Sequence, residues 1–90
     1  MLKPLENIVL LARKRKYSPV KNSYTNKLLA HTLLSKAKVI EEIDELIEAI
    51  EKNSNKIHEA ADVFYHLLVY LEANEVKIED VMSELDKRKK

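Results

Sequence analysis

Ninety residues suit one small domain, residues 1–90, and a chain with 46% hydrophobic and 34% charged residues is too apolar to be disordered. The absence of cysteine excludes disulfides, thiol chemistry and Cys-ligated metal centres, and the absence of glycine leaves φ > 0 turns to Asn or Asp and disfavours hairpins. The net charge of +1 hides an asymmetry: residues 1–40 carry nine Lys/Arg and one acid, Glu6, whereas residues 41–90 carry seven Lys/Arg and fourteen Asp/Glu, so one half suits anions and the other cations.

In chain order, Met1–Lys16 has helical apolar spacing at Leu2, Leu5, Ile8, Val9 and Ala12, with Pro4 tolerated in the first turn. Tyr17–Asn22, with Pro19, is a loop, and Ser23 caps a helical region running to Lys52. That region is long enough to predict a break near Thr32–Ser35, with Ser35 as a second cap. Asn53-Ser54-Asn55 is a turn, and the next helix, Lys56–Ala73, is apolar at Ile57, Ala60, Ala61, Phe64, Leu67, Leu68 and Leu71. Val63, Val69 and Tyr70 lie off that stripe, so the helix is apolar nearly all round and needs more neighbours than a chain this short provides. A homodimer or higher homo-oligomer with this helix in the interface is therefore expected. Asn74-Glu75 breaks the pattern, and Lys77–Lys89 forms a last helix whose basic end, Lys87-Arg88-Lys89-Lys90, suits the dipole. The fold class is all-α, of four to five helices. No apolar run approaches the roughly 20 residues of a membrane helix and no signal peptide is visible, so a cytoplasmic protein with no membrane partner is expected.

The informative feature is the spacing of the acids. Glu42 and Glu45 are i and i+3 on one helix face, and Glu59 and Asp62 repeat the spacing after the turn. If the two helices pair antiparallel, four carboxylates converge. Crowded carboxylates repel unless a cation neutralises them, and oxygen donors without cysteine select Mg²⁺, with Mn²⁺ as the other choice. The bland alternative is solvated surface or an ion-pair network. The surface reading fits Glu48, Glu51, Glu72, Glu75 and Glu84 well, but fits Asp62 poorly because it lies in the apolar run. A di-iron bundle needs Glu-x-x-His, and none of His31, His58 or His66 follows a Glu at that spacing; His31 and His58 read as surface.

Glu41-Glu42-Ile43-Asp44-Glu45, thirteen residues, then Glu59-Ala60-Ala61-Asp62 resembles the signature of the MazG-like all-α nucleoside-triphosphate pyrophosphohydrolases. SYTNKLLA (Ser23–Ala30), EAADVFYHLLVYL (Glu59–Leu71) and IEDVMSELDKR (Ile78–Arg88) are similar, more narrowly, to segments of the phosphoribosyl-ATP pyrophosphohydrolases of histidine biosynthesis. Two family glycines are replaced, one by Ile40 before Glu41 and one by Asn22 before Ser23, and the segment between Leu29 and Lys38 lacks a third and is one residue shorter than the family's.

The resemblance implies Mg²⁺-dependent hydrolysis of phosphoribosyl-ATP to phosphoribosyl-AMP and pyrophosphate. It makes Glu42, Glu45, Glu59 and Asp62 the metal ligands and Glu41 the catalytic residue that positions or deprotonates water, or else a ligand of a second ion. Lys38, Arg88, His66 and Lys27 are the expected substrate-binding residues. Each has a plainer alternative: a surface acid for Glu41, an i, i+4 pair with Glu42 for Lys38, a solvated tail for Arg88 and a core histidine for His66. Tyr24 and Tyr65 either stack on adenine or belong to the core. A house-cleaning hydrolase of free nucleotides is the rival within the enzyme class, and a non-catalytic helical module the rival outside it. Arg13-Lys14-Arg15-Lys16 has no reading motif beside it, so no nucleic-acid partner is expected.

Overall fold

The computed structural model describes residues 1–89; Lys90, the last residue of the expected basic end, lies outside them. Among the described residues the chain forms five helices: α1 (Lys3–Tyr17), α2 (Tyr24–Ala30), α3 (Thr32–Glu51), α4 (Lys56–Ala73) and α5 (Ile78–Lys87). Pro4 sits in the first turn of α1, where its missing N–H costs nothing. Ser23 caps α2 as expected, its hydroxyl accepting from the Asn26 backbone N–H at 3.2 Å. The same hydroxyl accepts from Arg15, and the Asn26 side chain bonds both Val20 N–H and the Arg15 carbonyl, which ties the 18–23 loop to both helices.

Asparagine supplies the left-handed backbone that glycine usually provides. Asn22, Asn53 and Asn55 have φ of 66°, 52° and 60°. Asn53 closes α3: its N–H bonds the Ile50 carbonyl and Ser54 N–H reaches back to Ala49, so both orphan carbonyls are satisfied. Glu75, φ 60°, closes α4 in the same way, with Val76 N–H on the Leu71 carbonyl. Asn22 therefore meets the backbone demand of the glycine it replaces, and Ile40 lies inside regular α3, where no glycine is needed.

The break in the long helical region falls at His31, φ −125° and ψ 84°, one residue ahead of the expected stretch. Ser35 is not a cap. It lies within α3, 1% exposed, with its hydroxyl unpartnered. Ser35, Glu42 and Ala49 are the buried residues of α3, seven apart, so a narrow stripe of this helix faces the bundle. Ser35→Ala is expected to raise stability by about 1 kcal/mol, because it removes a buried hydroxyl without a partner and restores a strong helix former. Thermal unfolding of the two proteins checks this.

The apolar core consists of Val9 and Ala12 from α1, Leu28 from α2, Ala49 from α3, and Leu68 and Val69 from α4. It departs from the expected α4 stripe. Val69, off that stripe, is fully buried, whereas Ile57 and Phe64, on it, are 88% and 52% exposed. α4 is thus not buried on every side within one chain. α3 carries a row of exposed apolar residues of its own, Ile40, Ile43, Ile47 and Ile50.

Glu72, expected at the surface, is 6% exposed. It accepts from Arg13 Nε at 3.0 Å, and Lys16 donates to its backbone carbonyl at 2.9 Å. Arg13 also forks onto both oxygens of Glu79, and Lys16 pairs with Glu75. These bonds fasten α1 across the end of α4 and the start of α5. Three of the four cations in the Arg13–Lys16 run are therefore engaged inside the fold, Arg15 through Ser23. Among the described residues no helix is long and apolar enough to cross a membrane.

Candidate metal centre

α3 and α4 fold back on one another through the 52–55 turn and make the most extensive helix pairing of the bundle. That pairing brings acids of the two helices together. Glu42, Glu45 and Glu59 each offer a carboxylate oxygen within 4.8 Å of the others. Glu59 and Asp62 form a second triad of the same dimension with His58. The four carboxylates expected to converge do so as two linked groups that share Glu59.

The first group is poorly satisfied by protein. Glu42 is 7% exposed, and its Oε2, like Oε2 of Glu59, is buried without a hydrogen-bond partner. Burial, and then the neighbouring Glu45 carboxylate, push the Glu42 carboxyl above its ordinary range. Burial first and Glu45 second raise Glu59 as well. Buried carboxylates without donors, set against one another, fit a hard dication that neutralises them. A cleft of about 250 Å³ opens beside Glu45 and Glu59 and runs to Lys52 and the turn.

The expected site residues occupy distinct places. Glu41 lies outside both triads and pairs with Lys38 at 3.2 Å, so Lys38 bonds to Glu41 rather than to Glu42. That bond is the largest influence holding the Lys38 ammonium above its ordinary pKa. Tyr24 of α2 lies near this pair and Glu42: burial raises its phenol, Lys38 lowers it, and Glu41 and Glu42 raise it. Lys27 lines an open groove of about 620 Å³ with Asn22, Tyr24 and His31. Arg88 closes α5 and bonds Glu84 at 2.9 Å, its one side-chain partner among the described residues.

His66 is buried, and both ring nitrogens have partners. Nδ1 lies 2.8 Å from the Asp62 carbonyl oxygen, which can only accept, so Nδ1 carries a proton. In the neutral ring Nε2 then accepts from the Tyr24 hydroxyl at 2.9 Å. The ring packs edge-on against Tyr24 and Tyr65, and the Tyr65 hydroxyl meets Thr25 Oγ1 at 2.5 Å. Tyr24 and Tyr65 thus fix α2 to α4 beside the acids, an arrangement that helical spacing within α4 does not reveal.

A model of the phosphoribosyl-ATP pyrophosphohydrolase family matches residues 7–89. The chain belongs to this family. It is 40% identical over its whole length to phosphoribosyl-ATP pyrophosphatase of Clostridium novyi, of which it spans 82%. It is 41% identical over 97% of its length to the enzyme of that name from Rhizobium johnstonii, spanning 81% of it. A third relative, the histidine biosynthesis bifunctional protein HisIE of Pyrococcus furiosus, is 40% identical, and the chain spans 42% of that longer protein. The family match takes in eleven of the fifteen residues of α1, Asn7–Tyr17.

Proposed function

We propose that this chain, as one domain over residues 1–90, hydrolyses phosphoribosyl-ATP to phosphoribosyl-AMP and pyrophosphate in histidine biosynthesis. The observation that carries the reading is the buried, unpartnered carboxylate oxygens of Glu42 and Glu59 in a family of pyrophosphohydrolases. Glu42, Glu45, Glu59 and Asp62 hold a divalent cation, Mg²⁺ by the hardness of the oxygen donors. When bound, such an ion withdraws charge from phosphate oxygens and orients water. Glu41, outside the triads, accepts the proton of the attacking water, and Lys38 beside it meets the phosphate charge. Lys27, in the groove that Tyr24 joins to the acids, and Arg88 supply further positive charge. His66, with both nitrogens engaged, positions Asp62 and Tyr24 at the substrate's edge.

The apolar rows of α3 and α4 support assembly as a homodimer or higher oligomer in the cytoplasm. Ile40, Ile43, Ile47 and Ile50 recur along one face of α3 and are exposed, as is Phe64 of α4, which is the apolar surface an assembly would cover.

The test is pyrophosphate release from phosphoribosyl-ATP, with free nucleotides in parallel, in Mg²⁺ and in EDTA. Release from phosphoribosyl-ATP that EDTA abolishes is the expected result, from a particle with a mass at least twice 10.5 kDa. Release from free nucleotides alone would move the chain to a house-cleaning role, and no release from any substrate would leave a non-catalytic helical module.

A further inference from the structure

His58, one residue before Glu59 on α4, stands where a metal ligand would. Its Nε2 lies 3.4 Å from Asp62 Oδ2, one helical turn on. One ligand atom each from His58, Glu59 and Asp62 falls within 4.8 Å of the other two. Donors about 2.1 Å from a tetrahedral ion are separated by about 3.4 Å, so the imidazole and the aspartate already have the spacing of two ligands on one ion. An ordinary i, i+4 pair between His58 and Asp62 leaves the buried Oε2 of Glu59 without a donor. A cation bridging all three satisfies it. Glu59 is also the residue this group shares with Glu42 and Glu45, and Glu42 is more than nine-tenths buried with its own Oε2 unpartnered, so the His58 group adjoins a second carboxylate without a donor.

We propose that His58 is a further ligand at this centre and that its nitrogen gives the site an affinity for transition-series dications such as Mn²⁺, Co²⁺ or Zn²⁺ that the carboxylates alone do not supply. Imidazole nitrogen is a borderline donor that these ions accept readily, whereas Mg²⁺ favours oxygen and releases its waters reluctantly. The inference rests on the metal reading given under Proposed function and adds a ligand to it. His58 is largely exposed, with its side chain free to turn about χ1 and χ2 toward an ion shared with Glu59 and Asp62.

The test is equilibrium binding of Co²⁺ and of Mg²⁺ to the metal-stripped full chain near neutral pH, for the unaltered protein, His58→Asn and His58→Ala. Loss of partners outside the coordination shell alone costs 10–100-fold, so loss of a direct ligand is expected to weaken Co²⁺ on the order of tenfold or more. Mg²⁺ binding should stay within about twofold, since its oxygen ligands remain. The visible absorption of the Co²⁺ form should shift in both variants, a change that loss of a surface ion pair would not produce. Helical circular dichroism confirms that the variants are folded. Equal weakening of both ions, or of neither, with an unchanged Co²⁺ spectrum overturns the role of His58 and leaves the carboxylate site standing. Failure of the unaltered protein to bind either ion overturns the proposal together with the metal reading beneath it.

Discussion

Glu42→Gln is expected to abolish catalysis and to make the metal-free protein more stable. The two effects have one cause. Glu42 is buried against Glu45 with Oε2 unpartnered, and both burial and that neighbour disfavour its charged form. Glutamine keeps the shape, removes the charge and offers an N–H to the Glu45 carboxylate. Relief of an unsatisfied buried acceptor contributes about 1 kcal/mol, which for a domain of this size raises the melting temperature by roughly 4–8 °C. In the proposed site Glu42 is a direct ligand, so the expected drop in activity on its loss is on the order of 100-fold or more. Scanning calorimetry with and without Mg²⁺ and a pyrophosphate assay measure both sides. Added Mg²⁺ should stabilise the unaltered protein and not the variant. The pH dependence follows from the raised pKa. The folded protein holds its proton on Glu42 more tightly than the unfolded chain, so stability declines as pH rises from the ordinary carboxylate range through the raised one. The advantage of glutamine should therefore disappear in acid. A variant less stable than the parent at neutral pH without metal would mean that the carboxylate is satisfied by protein alone.

Arg13→Ala is expected to be the most damaging substitution far from the acids. It leaves Glu72 buried with Lys16 as its remaining cation, 3.9 Å away. Removing one partner of a buried pair costs 3–5 kcal/mol in full burial; with Arg13 itself part-exposed, about 2–3 kcal/mol is expected. That is a large share of the total stability of a small domain, and corresponds to a fall in melting temperature of roughly 10–20 °C. Glu72→Gln in the Arg13→Ala background should recover part of the loss, because the orphaned charge is then gone. Calorimetry of the two single variants and the double variant measures that coupling. The same fork of Arg13 holds the Glu79 carboxyl down at about 2. Its contribution is present above the ordinary carboxylate value and is lost as pH falls from about 4.5 toward about 2, so acid releases the α1–α5 fastening. The variant should lack that component of the acid transition. If Arg13→Ala melts with its parent, α1 is held by its apolar face alone.

The particular residues that were legible in the sequence share one property: their signal is local. Helical periodicity placed α4 at Lys56–Ala73, where the structure has it. Ser23 was readable as a cap because capping chemistry spans three residues, and Asn53 was readable as part of a turn because left-handed backbone without glycine falls to asparagine. The acids were readable because Glu42/Glu45 and Glu59/Asp62 repeat one spacing on either side of that turn, which puts all four on one helix pair. Ser35 misled because serine's preference for caps says nothing about a position already inside a helix, where a packed neighbour decides its fate.

By itself, then, the sequence determined an all-α chain whose clustered carboxylates lie on two helices and whose apolar residues exceed what one small chain buries. The tertiary structure alone decided which groups meet. Arg13 and Glu72 are 59 residues apart, and nothing in a helical period links them; packing α1 across α4 does. Packing against α4 took Glu72 out of water and buried Val69 in place of Phe64, and α2, docked on α4, set Tyr24 onto His66. Packing of α3 on α4 brought Glu42 and Glu45 against Glu59, whereas His58 and Asp62 meet within α4 itself, one helical turn apart. Local propensity is written along the chain, whereas desolvation and pairing between distant side chains exist only once the helices are in contact.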